Sequence, residues 1–209
     1  MSETGAPGTM RLFIAITLPD SVKSAIQQAQ TELRRALPEG CVRWIRRDQL
    51  HLTLKFLGNI ESERVPQLAD AVRTACSGFA ALKLRAELVG FFPNARSPRV
   101  IWTAVRDSDG QLARVHDELD GVTRDFSSEK PDKEFRGHVT LGRVKNIRRL
   151  VAVILAQVGG GMAKRIFGEW TADKVELIRS ELTPSGPNYS VEAVAVLSHR
   201  SGAIPRPIK

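Results

Sequence analysis

Two four-residue stretches constrain this chain more than anything else in it: His51-Leu52-Thr53-Leu54 and His138-Val139-Thr140-Leu141. Each alternates polar and aliphatic residues, and a period of two belongs to a half-buried strand. Each tetrad therefore predicts a strand with His and Thr on one face and two aliphatic side chains in the core. Continued through HLTLKFLG at 51–58, the alternation places His51, Thr53 and Lys55 on one face and Leu52, Leu54 and Phe56 on the other. Gly58-Asn59 then reads as the strand's end. The chain has four histidines, and two of them open these tetrads.

Around the tetrads the pattern alternates between helix and strand. RLFIAITLP at 11–19 is a short apolar run closed by Pro19, which predicts a buried strand. Val22, Ile26, Ala29, Leu33 and Leu37 recur at intervals of three and four, so a helix capped by Asp20 or Ser21 follows. Cys41 to Ile45 predicts a brief strand, and Glu61 to Ser77 a second amphipathic helix. Phe79–Phe91 and Arg99–Val105 read as strands joined by a basic loop, and Asp107–Phe126 as a third helix. A charged loop at 127–134 leads to the second tetrad. A helix ending at Gly159-Gly160-Gly161 and three more strands complete the chain, the last two turning through 183–188. The order strand–helix–strand–strand–helix, then strands–helix–strand, then helix and strands predicts an α+β fold with a mainly antiparallel sheet. The repeated tetrad points to two similar lobes within one domain spanning residues 10–209, after a flexible tail at 1–9.

The chain carries 31 Lys and Arg against 23 Asp and Glu, a formal net charge of +8, which favours a polyanionic partner. No apolar run is long enough for a transmembrane helix. The N-terminus lacks the basic start and apolar stretch of a secretory signal. Cys41 and Cys76 lack paired spacing, consistent with thiols in a reducing compartment, so a cytoplasmic location is expected. There is no His/Cys/Asp cluster with zinc spacing, no G-x-x-x-x-G-K-[ST] loop and no G-x-S-x-G elbow. His116, in a predicted helix, and His199, in the tail, read as packing or surface residues.

Two histidines on strand faces carry a chemistry that one does not. With an ordinary pKa near 6.5, one imidazole takes a proton from a nucleophile while another, protonated, gives one to a leaving group. A threonine hydroxyl two residues further along the same face can donate to the oxygens of a phosphoryl group in transit.

Those residues, with RLFIAITLP, FFPNARSPRVIW, FRGHVTLGR and SELTPSGPNY, make most of residues 10–198 resemble the two-histidine phosphoesterases. Within them the chain is similar to the RNA 2′,3′-cyclic phosphodiesterases, also called 2′-5′ RNA ligases. The resemblance implies two pseudo-symmetric lobes around a central groove and metal-independent opening of a 2′,3′-cyclic phosphate to a 2′-phosphomonoester. No cofactor or metal is expected. It implies His51 as proton donor, His138 as proton acceptor, and Thr53, Thr140 and Arg143 as phosphate ligands. Strand parity sets Arg143 opposite His138, so it reaches the site only if the strand bends or ends there. Two departures stand out. Gly137 precedes the second histidine where Pro is common in the family, which loosens the backbone there. Either Phe13 or Ile14 occupies the first-strand position where a base would stack.

The expected partner is RNA with a 2′,3′-cyclic phosphate end, bound by a monomer. Arg46, Arg47, Arg96, Arg99, Arg136, Lys145, Arg148 and Arg149 are candidates to track its backbone. A small cyclic nucleotide substrate and a non-catalytic RNA-end-binding module remain as alternatives.

Overall fold

The computed structural model describes residues 8–127, 129, 134–145, 147–184 and 186–198. Its elements run β1 (Thr9–Thr17), α1 (Asp20–Arg35), β2 (Val42–Trp44), β3 (His51–Glu61), α2 (Val65–Cys76), β4 (Leu82–Phe92) and β5 (Val100–Asp107). Then come α3 (Gln111–Thr123), β6 (His138–Val144), α4 (Arg149–Gly160), β7 (Ile166–Ala172), β8 (Lys174–Thr183) and β9 (Gly186–Val196). This is the expected α+β class. Among the described residues every strand pairing is antiparallel. The strand order is β7-β4-β5-β6-β3-β1-β8-β9, with β2 attached to β6.

The two tetrad strands meet in the middle of that order, and their aliphatic residues explain why. Leu52 and Val139 are register partners, and with Leu54 and Leu141 they are at most 1% exposed. Burying an aliphatic side chain of this size stabilises by about 1.5–3 kcal/mol. A one-residue slip would turn all four outward, so the register is strongly specified. The helices cover this core as their periodicity predicts: Val22, Ile26, Ala29 and Leu33 of α1 are buried, as are Leu68 and Val72 of α2 and Leu112, Val115 and Leu119 of α3.

Several local expectations change. Pro19 is the N-cap residue of α1, and Asp20 lies in its first turn, where Arg47 pairs with it at 2.8 Å. β3 continues past Gly58-Asn59 to Glu61, and a 3₁₀ turn at Ser62–Arg64 precedes α2. The larger correction is within β3. Phe56 is 54% exposed and Lys55 is 4% exposed, the reverse of the alternation. Ile14 pairs with Lys55 and Ala15 with Thr53, so Leu54 is an extra residue and the strand changes parity there. Lys55 turns inward to a buried ion pair with Asp120 of α3.

β6 bulges at the same point. Ile101 pairs with Gly142 and Trp102 with Thr140, leaving Leu141 as the extra residue. The register of β1 on β3 (Phe13 with Phe56, Ala15 with Thr53, Thr17 with His51) repeats in that of β5 on β6 (Val100 with Arg143, Trp102 with Thr140, Ala104 with His138). Residues 1–7, most of the expected loop at 127–134, Ser185 of the last turn, and residues 199–209 with His199 lie outside the described residues.

Candidate active site

Since Leu52 and Val139 both face the core, His51, Thr53, His138 and Thr140 share the opposite face of the sheet. One step either way along the antiparallel register sets His51 across from Thr140 and Thr53 across from His138. The histidines are then diagonal neighbours, about 7–8 Å apart with their Cβ atoms somewhat closer. All four side chains are half-buried. The structure thus brings together the four residues that the tetrads single out.

Both rings are held the same way. Nδ1 of His51 lies 2.7 Å from the carbonyl of Gln49, and Nδ1 of His138 lies 2.7 Å from the carbonyl of Arg136. A carbonyl only accepts, so each Nδ1 carries the hydrogen and donates it. In each neutral ring Nε2 is left as the basic nitrogen. Gln49 is itself anchored, its Nε2 donating to the carbonyl of Pro187 at 2.5 Å. The anchor comes from the start of β9, a segment remote in sequence.

The His51 ring sits between Phe13, at 4.9 Å, and Tyr189, at 5.5 Å. Burial there pushes its pKa down to about 4; the Gln49 carbonyl opposes the shift, and the charges of His138 and Lys23 add to it. His51 is therefore neutral at neutral pH in the free protein.

Phe13, not Ile14, faces the site. Ile14 is fully buried in the main core, while Phe13 belongs to a small cluster on the other face with Ala15, Ile178 and Tyr189. His138 has its own aromatic neighbours: Phe92 at 5.1 Å, edge-on, and Trp102 at 6.2 Å, the two stacked at 4.7 Å. Gly90 makes room for them, since a Cβ there would come within 2.3 Å of the Trp102 ring.

The bulge at Leu141 gives Arg143 the bend it needs. Past it, Gly142 is buried beneath Val42 and Trp44, and Arg143 is exposed on the same face as His138 and Thr140. The bulge is fixed from outside the strand: the buried Gln30 of α1 donates to the Leu141 carbonyl at 2.8 Å and to that of Ile45 at 2.9 Å. Gly137 is less loose than its lack of side chain implies. Its carbonyl accepts from Val105 N at 2.9 Å, and an added Cβ would lie 2.6 Å from the Val105 oxygen.

Three of the basic residues singled out from the sequence are already engaged. Arg46 pairs with Asp48 at 2.6 Å, Arg47 with Asp20 at 2.8 Å, and Arg136 with Glu134 at 2.8 Å. His116 is a packing residue, buried in α3 and stacked on Phe135 at 4.2 Å. Gln30, Gln49, Tyr189, Phe92 and Trp102 escape sequence reasoning as site residues. Their roles come from long-range contacts, although alternation in 100–105 would have flagged Trp102.

Two imidazoles with basic Nε2 atoms and two hydroxyls on one face define an acid–base site suited to phosphoryl transfer. Known proteins narrow the class. The family model for LigT-like phosphoesterases matches residues 16–102. The chain is 32% identical over 180 residues to an RNA 2′,3′-cyclic phosphodiesterase of Archaeoglobus fulgidus, covering 86% of this chain and 96% of the relative. It is 35% identical over 188 residues to the one of Thermus thermophilus, covering 87% of each. A crystal structure of a Thermus thermophilus protein superposes with a TM-score of 0.72 at 30% identity, over 90% of this chain and 98% of that one. Apo LigT of E. coli shares the fold, with a TM-score of 0.70 at 22% identity over 91% and 99% of the two chains. The chain belongs to the RNA 2′,3′-cyclic phosphodiesterase family of LigT-like two-histidine phosphoesterases.

Proposed function

We propose that this chain hydrolyses a terminal 2′,3′-cyclic phosphate on RNA to a 2′-phosphomonoester, in a groove between two pseudo-symmetric lobes. Water attacks phosphorus, the bond to the 3′ oxygen breaks, and one proton moves at each end. His138 takes the proton of the attacking water and His51 gives one to the departing 3′ oxygen. Thr53 and Thr140 donate to the nonbridging oxygens and Arg143 offsets their charge. The observation that carries this reading is the matched pair of Nδ1-to-carbonyl bonds at 2.7 Å, on diagonal positions of one sheet face. It leaves one Nε2 for each side of a phosphate between them, as in-line displacement requires. The repeated register around the two tetrads supports the two-lobed arrangement.

The low pKa of His51 is compatible with a donor role, because the substrate brings the missing charge. A phosphate anion about 4 Å from the ring contributes about 4 kcal/mol at an effective dielectric of about 20. That is about 3 pKa units, enough to lift a pKa of about 4 towards neutrality. The neutral ring of the free protein also favours a second reading, with His51 as base and His138 as acid. A cyclic substrate with sulfur at the 3′ bridging position separates the two, because a thiolate leaves without a proton. Rescue of His51→Ala by this substrate marks His51 as the acid; rescue of His138→Ala marks the reverse.

Product analysis on an oligonucleotide with a 2′,3′-cyclic end tests the function. The expected product is the 2′-phosphate, formed equally with and without EDTA. Each His→Ala variant is expected to lose about 10²–10⁴ in rate while staying folded. A 3′-phosphate product, or no product beside tight binding, refutes the reading. A substrate range confined to small cyclic nucleotides would move the chain to the alternative class.

A further inference from the structure

We infer that Arg43, Arg11 and the Tyr189 hydroxyl, with Arg143, form a second anion subsite. Its ligand is the phosphodiester on the 5′ side of the terminal nucleotide. This deepens the phosphodiesterase reading and rests on it. Arg43 of β2 and Arg143 of β6 are register partners, so two exposed cations stand directly across from each other. Like charges in that position destabilise a sheet. Nearby cations are neutralised, Arg46 by Asp48 at 2.6 Å and Arg179 by Glu181 at 2.6 Å. Among the described residues no ion pair involves Arg43, Arg143 or Arg11.

All three arginines face the site. The bulge at Leu141 turns Arg143 to the side of His138, and Arg43 shares its face, since Val42 and Trp44 pack into the core behind it. Arg11 is exposed and two residues before Phe13, on the face opposite the buried Leu12 and Ile14. Tyr189, whose ring is 5.5 Å from His51, lies within the field of all three. Burial raises its hydroxyl pKa, while the charges of Arg143, Arg11 and Arg43 pull it back. Arg143, three residues beyond Thr140 and about 7–10 Å along the strand, reaches between the cyclic phosphate and the subsite, while Arg43 on the neighbouring strand extends the charge beyond one phosphate. A cyclic phosphate end has one neighbouring phosphate in its own chain, so the cluster has one natural occupant there.

The test compares nucleoside 2′,3′-cyclic phosphate with the same compound bearing a 5′-phosphate, and with a trinucleotide ending in the cyclic phosphate. Wild type should favour the two 5′-phosphorylated substrates at least tenfold in kcat/KM, an advantage that salt erodes. Arg43→Gln should lower kcat/KM about tenfold on them, through KM, and less than twofold on the unphosphorylated nucleoside. Its Tm should hold or rise, because a like-charge pair is relieved. Equal loss on all three substrates, or no loss on any, overturns the subsite. Binding of the labelled trinucleotide gives a readout independent of turnover: the slope of log K against log salt should shrink by about 0.7 in Arg43→Gln. An unchanged slope overturns the subsite too. Wild type that binds the trinucleotide but turns over none of the substrates instead overturns the phosphodiesterase reading.

Discussion

Gly137 offers a direct test of whether backbone packing, rather than backbone freedom, aims the second histidine. In Gly137→Ala the new Cβ would fall 2.6 Å from the Val105 carbonyl oxygen and 3.0 Å from Cδ2 of Leu112. The leucine can turn aside, but the carbonyl belongs to β5 and is fixed by its ladder. The 137 backbone must therefore retreat, stretching the 2.9 Å bond from Val105 N to its own carbonyl. Overpacking of this kind costs about 1–3 kcal/mol, and a weakened hydrogen bond about 1 kcal/mol more. The reduced entropy of the unfolded chain returns about 0.4–1 kcal/mol. A net loss of about 1–3 kcal/mol corresponds to about 2–12 °C in Tm for a chain of this size. Catalysis should suffer as well, because the displaced residue lies between His138 and Arg136, whose carbonyl holds Nδ1 at 2.7 Å. A 1 Å misplacement is worth about 10² in rate, so a shift of half that should lower kcat about tenfold with KM little changed. Thermal denaturation and steady-state kinetics on the same preparation read both quantities. Proline at 137, the residue the resemblance leads one to expect, adds the same Cβ and should not act as a repair. Wild-type Tm and kcat in Gly137→Ala would refute the reasoning. A lower Tm with unchanged kcat would keep the packing and discard the aiming.

Three further outcomes are expected. His51 titrates at about 4 when folded, against about 6.5 when unfolded, so the unfolded chain binds the extra proton between those values. Its contribution to stability is intact above pH 6.5 and falls as pH drops towards 4; denaturant titrations across pH 4–7 should show a shallower decline in His51→Gln. Thr53→Val and Thr140→Val keep the shape of a strand residue and remove a donor, so each should lower kcat/KM about 10²-fold with Tm nearly constant. Gln30→Leu leaves the Ile45 carbonyl without its amide partner and the Leu141 bulge held by Ile45 N alone, which should cost about 1–3 kcal/mol of stability and raise KM more than it lowers kcat.

The alternation in the two tetrads was enough to locate His51, Thr53, His138 and Thr140 on one face, because their core-facing partners are aliphatic in both copies. The same rule failed one residue later. Lys55 looked solvated and Phe56 looked buried, and Arg143 looked turned away, because nothing local in either sequence announces a bulge. Bulges are decided by the partner strand: Ile14 and Ile101 each keep a continuous run of pairs on β1 and β5 while β3 and β6 absorb the extra residue. Helix faces were legible for the opposite reason, since the 3.6-residue period depends on nothing outside the helix. Gln49 and Tyr189 were invisible as site residues because the contacts that give them a role join segments more than a hundred positions apart.

The placement of the bulges also answers how two strands sharing so little ladder can hold a diagonal pair of rings. β3 and β6 meet at Leu52 and Val139, and one register pair resists twisting poorly. The missing rigidity comes from helices that reach across. α1 follows β1, the neighbour of β3, yet its Gln30 grips the Leu141 bulge on β6. α3 follows β5, the neighbour of β6, yet its Asp120 holds Lys55 just past the Leu54 bulge on β3. Removing one partner of a buried ion pair typically costs about 3–5 kcal/mol, so the second brace is not a surface ornament. Each tetrad strand is thereby tied to a helix that enters the fold beside the other. The two bulges it fixes turn out an apolar ring at Phe56 and a cation at Arg143, five residues after each histidine. Near-identical strands thus present different chemistry at their two ends, an exposed ring at Phe56 and a cation at Arg143. That suits a nucleotide terminus, which is itself a base at one side and a charged chain at the other.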